Sequence, residues 1–189
     1  MEIRSFLAFE LPKDIKTVVA DTSRDMKKFS LNVRWVKPEN IHLTVIFIGN
    51  IRLDYLAPLG EKTGQVCNRF GPFQVSLKGV GIFGSKNYPR VIWTRLEGDL
   101  KPMTIFRDKL RKNLEPFGIK VEKRSFKPHL TLGRFRKGTS AHLDEFLTKF
   151  EDLSSPICTL DELVLFKSEL KPTGAFYTKL DSWALTGRD

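Results

Sequence analysis

The sequence has 189 residues, of which 41% are hydrophobic and 29% are charged. This composition is typical of a soluble globular protein and excludes a disordered chain. Lysine and arginine outnumber aspartate and glutamate by 32 to 22, which gives a net charge of +10 and a pI near 9.7. The surplus favours a polyanionic partner such as a nucleic acid or a nucleotide, although a solvated basic surface would also explain it.

The cysteines and the first residues indicate the compartment. Cys67 and Cys158 are isolated and lack metal-type spacing, so we expect free thiols in a reducing cytoplasm. The opening Met-Glu-Ile-Arg-Ser-Phe has no signal-peptide pattern, and no apolar run approaches the length of a membrane span. We therefore expect no membrane contact, and a monomer.

The first part of the chain alternates strands and helices. An apolar, β-prone run predicts a strand over residues 3–9, and Pro12 is well placed to open a helix that ends near Phe29. A short extended piece over 33–36 and a turn then lead to a strand over 41–48. A helix is predicted over 54–70, followed by strands over 73–80 and 90–96 that form a hairpin around a loop at 81–89.

The second part repeats this outline. A helix is predicted over 101–117 with Ile105, Leu110 and Leu114 facing inward. The remaining predictions are a strand over 128–135, a helix over 143–150 and a strand pair over 160–166 and 175–180. The similar halves indicate an internal duplication. We therefore predict an α+β fold with two lobes related by a pseudo-twofold axis and interleaved in one compact domain over 1–189. Each lobe would have a mostly antiparallel sheet, with helices outside and a cleft between the sheets.

One four-residue pattern occurs twice in this outline. Residues 42–45 are His-Leu-Thr-Val and residues 129–132 are His-Leu-Thr-Leu, so two of the three histidines occupy the same frame. Side chains alternate along a strand, which puts each histidine and its threonine on one face and the apolar residues on the other. Both pairs would therefore face the predicted cleft.

Two histidines and two hydroxyls suit acid–base chemistry on a phosphate. Cleavage of a phosphodiester needs a base for the nucleophile and an acid for the leaving oxygen, and histidine serves either role near neutral pH. Threonine hydroxyls can donate hydrogen bonds to the phosphate oxygens. A lone histidine on a strand is more often structural, but the repetition favours function. His142 has no such companion and is interpreted as a surface or capping residue.

The neighbouring residues leave alternatives open. Arg134 would assist with the phosphate only if a bulge at Gly133 reversed its direction, and Lys127 is the in-phase substitute. Phe47 is predicted to be core, because it is in phase with Leu43 and Val45. The aromatic residues near the predicted loop could stack on a base but are more often core or rim: Phe83, Tyr88 and Trp93. No metal-ligand spacing is evident, so neither a metal nor another cofactor is expected.

These segments resemble the 2H phosphoesterase superfamily, and within it the RNA 2′,3′-cyclic phosphodiesterases, long called 2′-5′ RNA ligases. The resemblance covers nearly the whole chain and rests on the two motifs in their settings. These are Trp35-Val-Lys-Pro-Glu-Asn-Ile-His-Leu-Thr44 with Phe47-Ile-Gly49, and Phe126-Lys-Pro-His-Leu-Thr-Leu-Gly-Arg134. Three further segments are similar: Arg4-Ser-Phe-Leu-Ala-Phe-Glu-Leu-Pro12, Pro89-Arg-Val-Ile-Trp93 and Leu165-Phe-Lys-Ser-Glu-Leu170.

The resemblance implies metal-independent hydrolysis of a terminal RNA 2′,3′-cyclic phosphate to a 2′-phosphate, with reversible RNA ligation as a secondary activity. It implies that His42 donates the proton and His129 accepts one, although the sequence alone allows the reverse. Thr44 and Thr131 would hold the phosphate oxygens, with Arg134 assisting. Open alternatives are another substrate (a cyclic nucleotide, ADP-ribose cyclic phosphate or an oligoadenylate) and a non-catalytic RNA- or nucleotide-binding module. A histidine metal site is disfavoured, because only two ligands converge.

Overall fold

The computed structural model describes residues 1–119, 125–136, 143–172 and 174–187. Nine strands lie in these ranges. They are β1 (Glu2–Glu10), β2 (Val33–Trp35), β3 (His42–Arg52), β4 (Phe73–Gly84), β5 (Pro89–Gly98), β6 (His129–Phe135), β7 (Cys158–Leu160), β8 (Glu162–Lys171) and β9 (Gly174–Ala184).

Four α-helices accompany the strands in the described ranges: α1 (Lys13–Lys27), α2 (Leu56–Cys67), α3 (Leu100–Leu114) and α4 (Asp144–Lys149). Pro12 precedes α1 as its N-terminal flanking residue, as predicted, because a proline at this point removes no helical hydrogen bond. Single turns of 3₁₀ helix come directly before α2 and directly after α3, so the predicted helices there are longer than the observed ones.

The strands form two antiparallel sheets. The first sheet has the order β3-β1-β8-β9, and the second has the order β2-β6-β5-β4-β7. The two sheets contact each other through β3 and β6, which are the two strands that carry the repeated motif. The predicted α+β class, with two mostly antiparallel sheets, is confirmed.

Each sheet combines strands that are distant in the sequence. The first sheet joins β1 and β3 to the hairpin β8–β9, while the hairpin β4–β5 joins β6 in the second sheet. The sheets are therefore not formed from successive halves of the chain. Each half supplies a hairpin to the sheet that contains the other half's motif strand.

The strand β1 is apolar on both faces, and the two faces are buried differently. Leu7 and Phe9 pack into the main core, to which the helices also contribute. Phe6 and Ala8 point the other way and form a smaller apolar cluster with Val164 and Phe166. We call the side of the first sheet that carries Phe6 and Ala8 the cleft face, because His42 also lies there.

Three expectations are wrong in detail. The loop predicted over 81–89 is shorter, because β4 continues to Gly84 and β5 already begins at Pro89. The strand β7 was not predicted; it is only three residues long and pairs with the start of β4. Ile105 is 55% exposed, since the buried stripe of α3 runs through Met103, Phe106, Leu110 and Leu114 and Ile105 lies outside it.

Candidate functional site

The two motifs occupy equivalent places in the two sheets, because a motif histidine begins each of β3 and β6. His42 and Thr44 pair with Glu10 and Ala8 of β1, and these two partners share one face of that strand. Leu43, Val45 and Ile46 are buried in the main core. The repeated frame thus keeps its polar pair out of the core.

The same alternation holds on β6. His129 and Thr131 pair with Arg95 and Trp93 of β5, and Leu130 between them is fully buried. Because β3 and β6 are in contact, both strands that carry a His–Thr pair lie at the junction of the two sheets. Within the described part of the chain, neither threonine side chain has a hydrogen bond, so both hydroxyls can donate to a ligand.

Both imidazoles are held in the same way. Nδ1 of His42 lies 2.8 Å from the carbonyl oxygen of Asn40, and Nδ1 of His129 lies 2.7 Å from that of Lys127. A carbonyl oxygen can only accept, so Nδ1 carries the hydrogen in each ring. In both histidines Nε2 is therefore the atom that exchanges a proton. This anchoring through the backbone two residues earlier is a second feature that the two motifs share.

Aromatic rings surround His42. The imidazole stacks on Phe6 with ring centroids 4.7 Å apart, and the edge of Tyr177 approaches it at 5.2 Å. Phe166 lies at 6.2 Å. Burial among these rings lowers the pKa of His42 from 6.5 to about 4, and the hydrogen bond to Asn40 offsets only part of this effect. In the free protein His42 is therefore neutral at pH 7.

We expect an NMR titration of the ligand-free protein to give a pKa near 4 for His42, and Phe6→Ala to raise it by admitting water to the ring. The unfolded state takes up this proton below pH 6.5, whereas the folded state does so only near pH 4. The free energy of unfolding should therefore fall as the pH decreases through this window, by at most about 3 kcal/mol. Denaturant unfolding at several pH values, with His42→Gln as the control that lacks this titration, measures the effect. A His42 pKa of 6 or above would contradict the expectation.

His129 also has aromatic neighbours, supplied by the hairpin β4–β5. Phe83 and Trp93 stack on each other at 4.9 Å, and Phe83 presents its ring edge-on to the imidazole at the same distance. Trp93 lies flat over Gly81, where an added Cβ would come within 2.8 Å of the indole. These two rings therefore support His129 as part of the rim. Tyr88 is 75% exposed in the turn between the strands.

A β-bulge follows the motif on both strands. On β6, Thr131 and Gly133 face consecutive residues of β5, which leaves Leu132 as the extra residue. On β3 the extra residue is Val45. Each bulge reverses the alternation, so the residue three positions after each threonine returns to the face that carries the histidine. That residue is Arg134 in one strand and Phe47 in the other.

The prediction that Phe47 belongs to the core is wrong. Phe47 is 58% exposed and pairs with Phe6, which lies on the cleft face. The prediction assumed uninterrupted alternation after Leu43 and Val45, and the bulge at Val45 breaks it. The structure therefore adds an exposed aromatic ring to the surface beside His42 and Thr44.

Arg134 is exposed on the face that carries His129 and Thr131. Its positive charge, with that of Arg4, opposes the burial that raises the pKa of Tyr177. Tyr177 in turn contacts His42, so the charge of Arg134 acts on the first sheet beside His42. Lys127, the alternative cation, instead contributes its backbone carbonyl to His129.

Several expectations concern other groups. Cys67 and Cys158 are free and buried. Across the described ranges, no three His, Cys, Asp or Glu side chains are grouped as a metal site would require. The described helices include none that is both long and apolar enough to cross a membrane. His142 lies outside the described residues.

The aromatic residues around His42 were missed by the sequence analysis. Phe6 lies in an apolar run that predicts a strand but not which residues face the cleft. Phe166 and Tyr177 come from the hairpin β8–β9, far from the motif in sequence. The resemblance of the segments 4–12 and 165–170 includes Phe6 and Phe166 but not Tyr177.

Comparison with known proteins finds relatives along nearly the whole chain. Curated proteins named RNA 2′,3′-cyclic phosphodiesterase match nearly the full chain. The relative from Methanocaldococcus jannaschii is 30% identical over 185 residues, covering 96% of this chain and 100% of its own. The relative from Methanothermobacter thermautotrophicus is 29% identical over 189 residues, covering 98% and 100%.

Solved structures share the fold. A crystal structure of a Thermus thermophilus protein superposes with a TM-score of 0.83 and 25% identity, covering 99% of this chain and 100% of the other. Escherichia coli LigT, crystallised with 3′-AMP, superposes with a TM-score of 0.75, covering 98% of this chain and 99% of the other. Its identity of 23% supports the fold alone. The curated relatives and the family model, not these structures, confirm the family and the enzyme class that the sequence predicts. The model of the 2′-5′ RNA ligase superfamily matches residues 34–172, and the chain belongs to that superfamily.

Proposed function

We propose that this protein hydrolyses a terminal 2′,3′-cyclic phosphate of RNA to a 2′-phosphate, with His42 as proton donor and His129 as proton acceptor. One observation carries the proposal. Two contacting strands each present an imidazole with Nδ1 held by a carbonyl, together with a free hydroxyl on the same face. The names of the relatives supply the substrate class.

The proposed reaction uses Nε2 of both rings. His129 takes a proton from water as the water oxygen bonds to phosphorus. The bond from phosphorus to the 3′ oxygen breaks, and His42 protonates that oxygen, leaving a 3′ hydroxyl and a 2′-phosphate. His129 then loses a proton to solvent and His42 regains one. Proton transfers of this kind typically contribute about 10²–10⁴-fold each.

The aromatic surroundings of His42 keep its imidazole neutral in the free protein. His42 can therefore donate a proton only if the bound substrate stabilises the protonated ring. One negative phosphate charge about 4 Å from the ring favours the imidazolium by about 4 kcal/mol at an effective dielectric of 20, or about 3 pKa units. This is enough to offset the fall of the His42 pKa from 6.5 to about 4. Binding of the cyclic phosphate would therefore cause His42 to take up a proton, whereas His42 would stay neutral without substrate.

The remaining groups bind and orient. Thr44 and Thr131 donate hydrogen bonds to the non-bridging phosphate oxygens, where charge grows in the transition state. Arg134 adds a positive charge on the same face, and a guanidinium can bind two phosphate oxygens at once. Phe47, exposed beside Thr44, offers a flat apolar surface for the terminal base, because base–aromatic stacking tolerates any base.

Three further parts of the proposal follow from the same arrangement. Ligation would use the same two histidines in the same roles, with a ribose hydroxyl of a second RNA end in place of water. A monomer suffices, because one chain supplies every proposed group. The buried free thiols Cys67 and Cys158 fit a reducing cytoplasm.

The test is a short RNA that ends in a 2′,3′-cyclic phosphate, incubated with the protein in the presence of EDTA. We expect complete conversion to the 2′-phosphate, identified by mass and by resistance to a 3′-specific phosphatase, at a rate that EDTA leaves unchanged. Loss of activity in EDTA, restored by one divalent metal, would contradict metal independence. Binding without conversion would favour the non-catalytic module, and conversion of a small cyclic nucleotide alone would favour a different phosphoester.

A further inference from the structure

A pair of arginines lies at the edge of the second sheet, beyond the motif of β6. Arg34 of the edge strand β2 pairs directly with Arg134 of β6. Residues paired in this way have Cα atoms about 5 Å apart and side chains on the same face. The flanking Val33 and Trp35 pack against the core, which turns Arg34 outward to the face that carries Arg134, Thr131 and His129.

This pairing places two like charges side by side. Like charges directly opposite each other across two strands destabilise a sheet, and among the described residues neither guanidinium has a carboxylate partner. Both are exposed and line an open groove of about 430 Å³ together with Phe135 and Arg136. An anion with two charged groups would relieve the repulsion and bind to both side chains.

We propose that Arg34 binds the phosphodiester immediately before the terminal nucleotide of the substrate. The inference rests on the proposed function, in which Arg134 assists with the terminal phosphate. A nucleotide chain carries its phosphates at successive nucleotides, and β2 lies one strand further from the site than β6. The guanidinium of Arg34 suits such a phosphate, since its planar fork can donate two hydrogen bonds to it.

This assignment makes Arg34 a residue that determines substrate length. A nucleoside 2′,3′-cyclic phosphate has only the terminal phosphate and contacts Arg134 but not Arg34. A dinucleotide that ends in the same cyclic phosphate has the additional phosphodiester and contacts both. The protein should therefore open the dinucleotide with the higher kcat/KM.

The test compares these two substrates in the wild-type protein and in three variants. For Arg34→Gln we expect kcat/KM to fall about tenfold on the dinucleotide, which loses a direct contact. On the mononucleotide we expect only about a twofold fall, because that substrate loses only the long-range attraction between its phosphate and the positive charge. Arg134→Gln should lower both by similar factors. Arg69→Gln removes the same charge beyond the end of α2, which packs on the opposite side of the first sheet, and should change neither.

Salt dependence gives a second measurement. A phosphate contact to a single strand contributes about 0.7 to the slope of log(kcat/KM) against log[salt]. Arg34→Gln should reduce the slope for the dinucleotide by about this amount and leave that for the mononucleotide nearly the same. Equal losses on both substrates, or no loss on either, would overturn the inference while the hydrolase remains. Failure of the wild-type protein to open either substrate would instead reject the proposed function.

Discussion

Replacing either His42 or His129 by alanine is expected to lower kcat for opening of the cyclic phosphate by about 10²–10⁴-fold. In the proposed mechanism each ring supplies one proton transfer through Nε2, and no other described residue occupies the histidine position of the repeated frame. The double variant should lose much less than the product of the two single losses, because the two transfers serve one reaction. Single-turnover assays with an RNA that ends in a 2′,3′-cyclic phosphate measure the change.

The matched control is His142→Ala, the third histidine of the chain, which lies outside the repeated frame and should retain full activity. Thermal unfolding of each variant separates lost chemistry from a lost fold. A folded His42→Ala or His129→Ala protein with activity within about fivefold of the wild type would contradict the mechanism.

The second large effect concerns which histidine is the donor. A general acid matters only when the leaving oxygen is basic, so an activated leaving group should make it dispensable. The suitable probe is a 3′-deoxynucleoside 2′-(4-nitrophenyl phosphate), in which nitrophenolate replaces the 3′ oxygen and the product is again a 2′-phosphate. On this probe we expect His42→Ala to lose less than about tenfold, and His129→Ala to lose about as much as on the cyclic phosphate.

The opposite pattern would assign the donor role to His129 and contradict the proposal. A bell-shaped pH profile alone cannot make this distinction, because a protonated His42 with neutral His129 and the reverse state have the same total number of protons and vary identically with pH. The low pKa of His42 bears directly on this assignment, because a proton donor must be protonated before it can act. If His42 is the donor, the substrate must raise that pKa.

Much of the site could be predicted because it depends on local alternation. In the frame His-Leu-Thr one apolar residue separates two polar ones, which predicts a strand whose histidine and threonine share a face. Both β3 and β6 have this arrangement. The helix α1 was predicted from Pro12 and the spacing of Ile15, Val18, Val19 and Met26, of which Val18 is partly buried and the other three are buried.

The bulges could not be predicted from alternation, and they determine which face of the sheet two side chains occupy. Phe47 was assigned to the core, and the direction of Arg134 was left open. Both positions depend on one extra residue in the strand, Val45 or Leu132, whose side chain looks like any other strand residue. Gly133 gave a partial indication, since a glycine inside a strand can permit a bulge.

The low pKa of His42 also could not be predicted from the local sequence pattern. The three rings around it come from β1, β8 and β9, and only the pairing of distant strands brings them together. The sequence therefore indicated which two histidines are candidates for proton transfer, while the low pKa of His42 depends on the order of strands in the first sheet.

That strand order also has a consequence for the biosynthesis of the protein. Ser5 of β1 pairs with Lys167 of β8, so the first sheet can close only after almost the whole chain has left the ribosome. Pairing over such a distance slows folding and keeps apolar strand faces exposed in the nascent chain. His42 and His129 are both translated before Phe166 and Tyr177 enclose the first of them. A growing chain thus carries both motif histidines for some time before it has the aromatic surroundings that lower the pKa of His42.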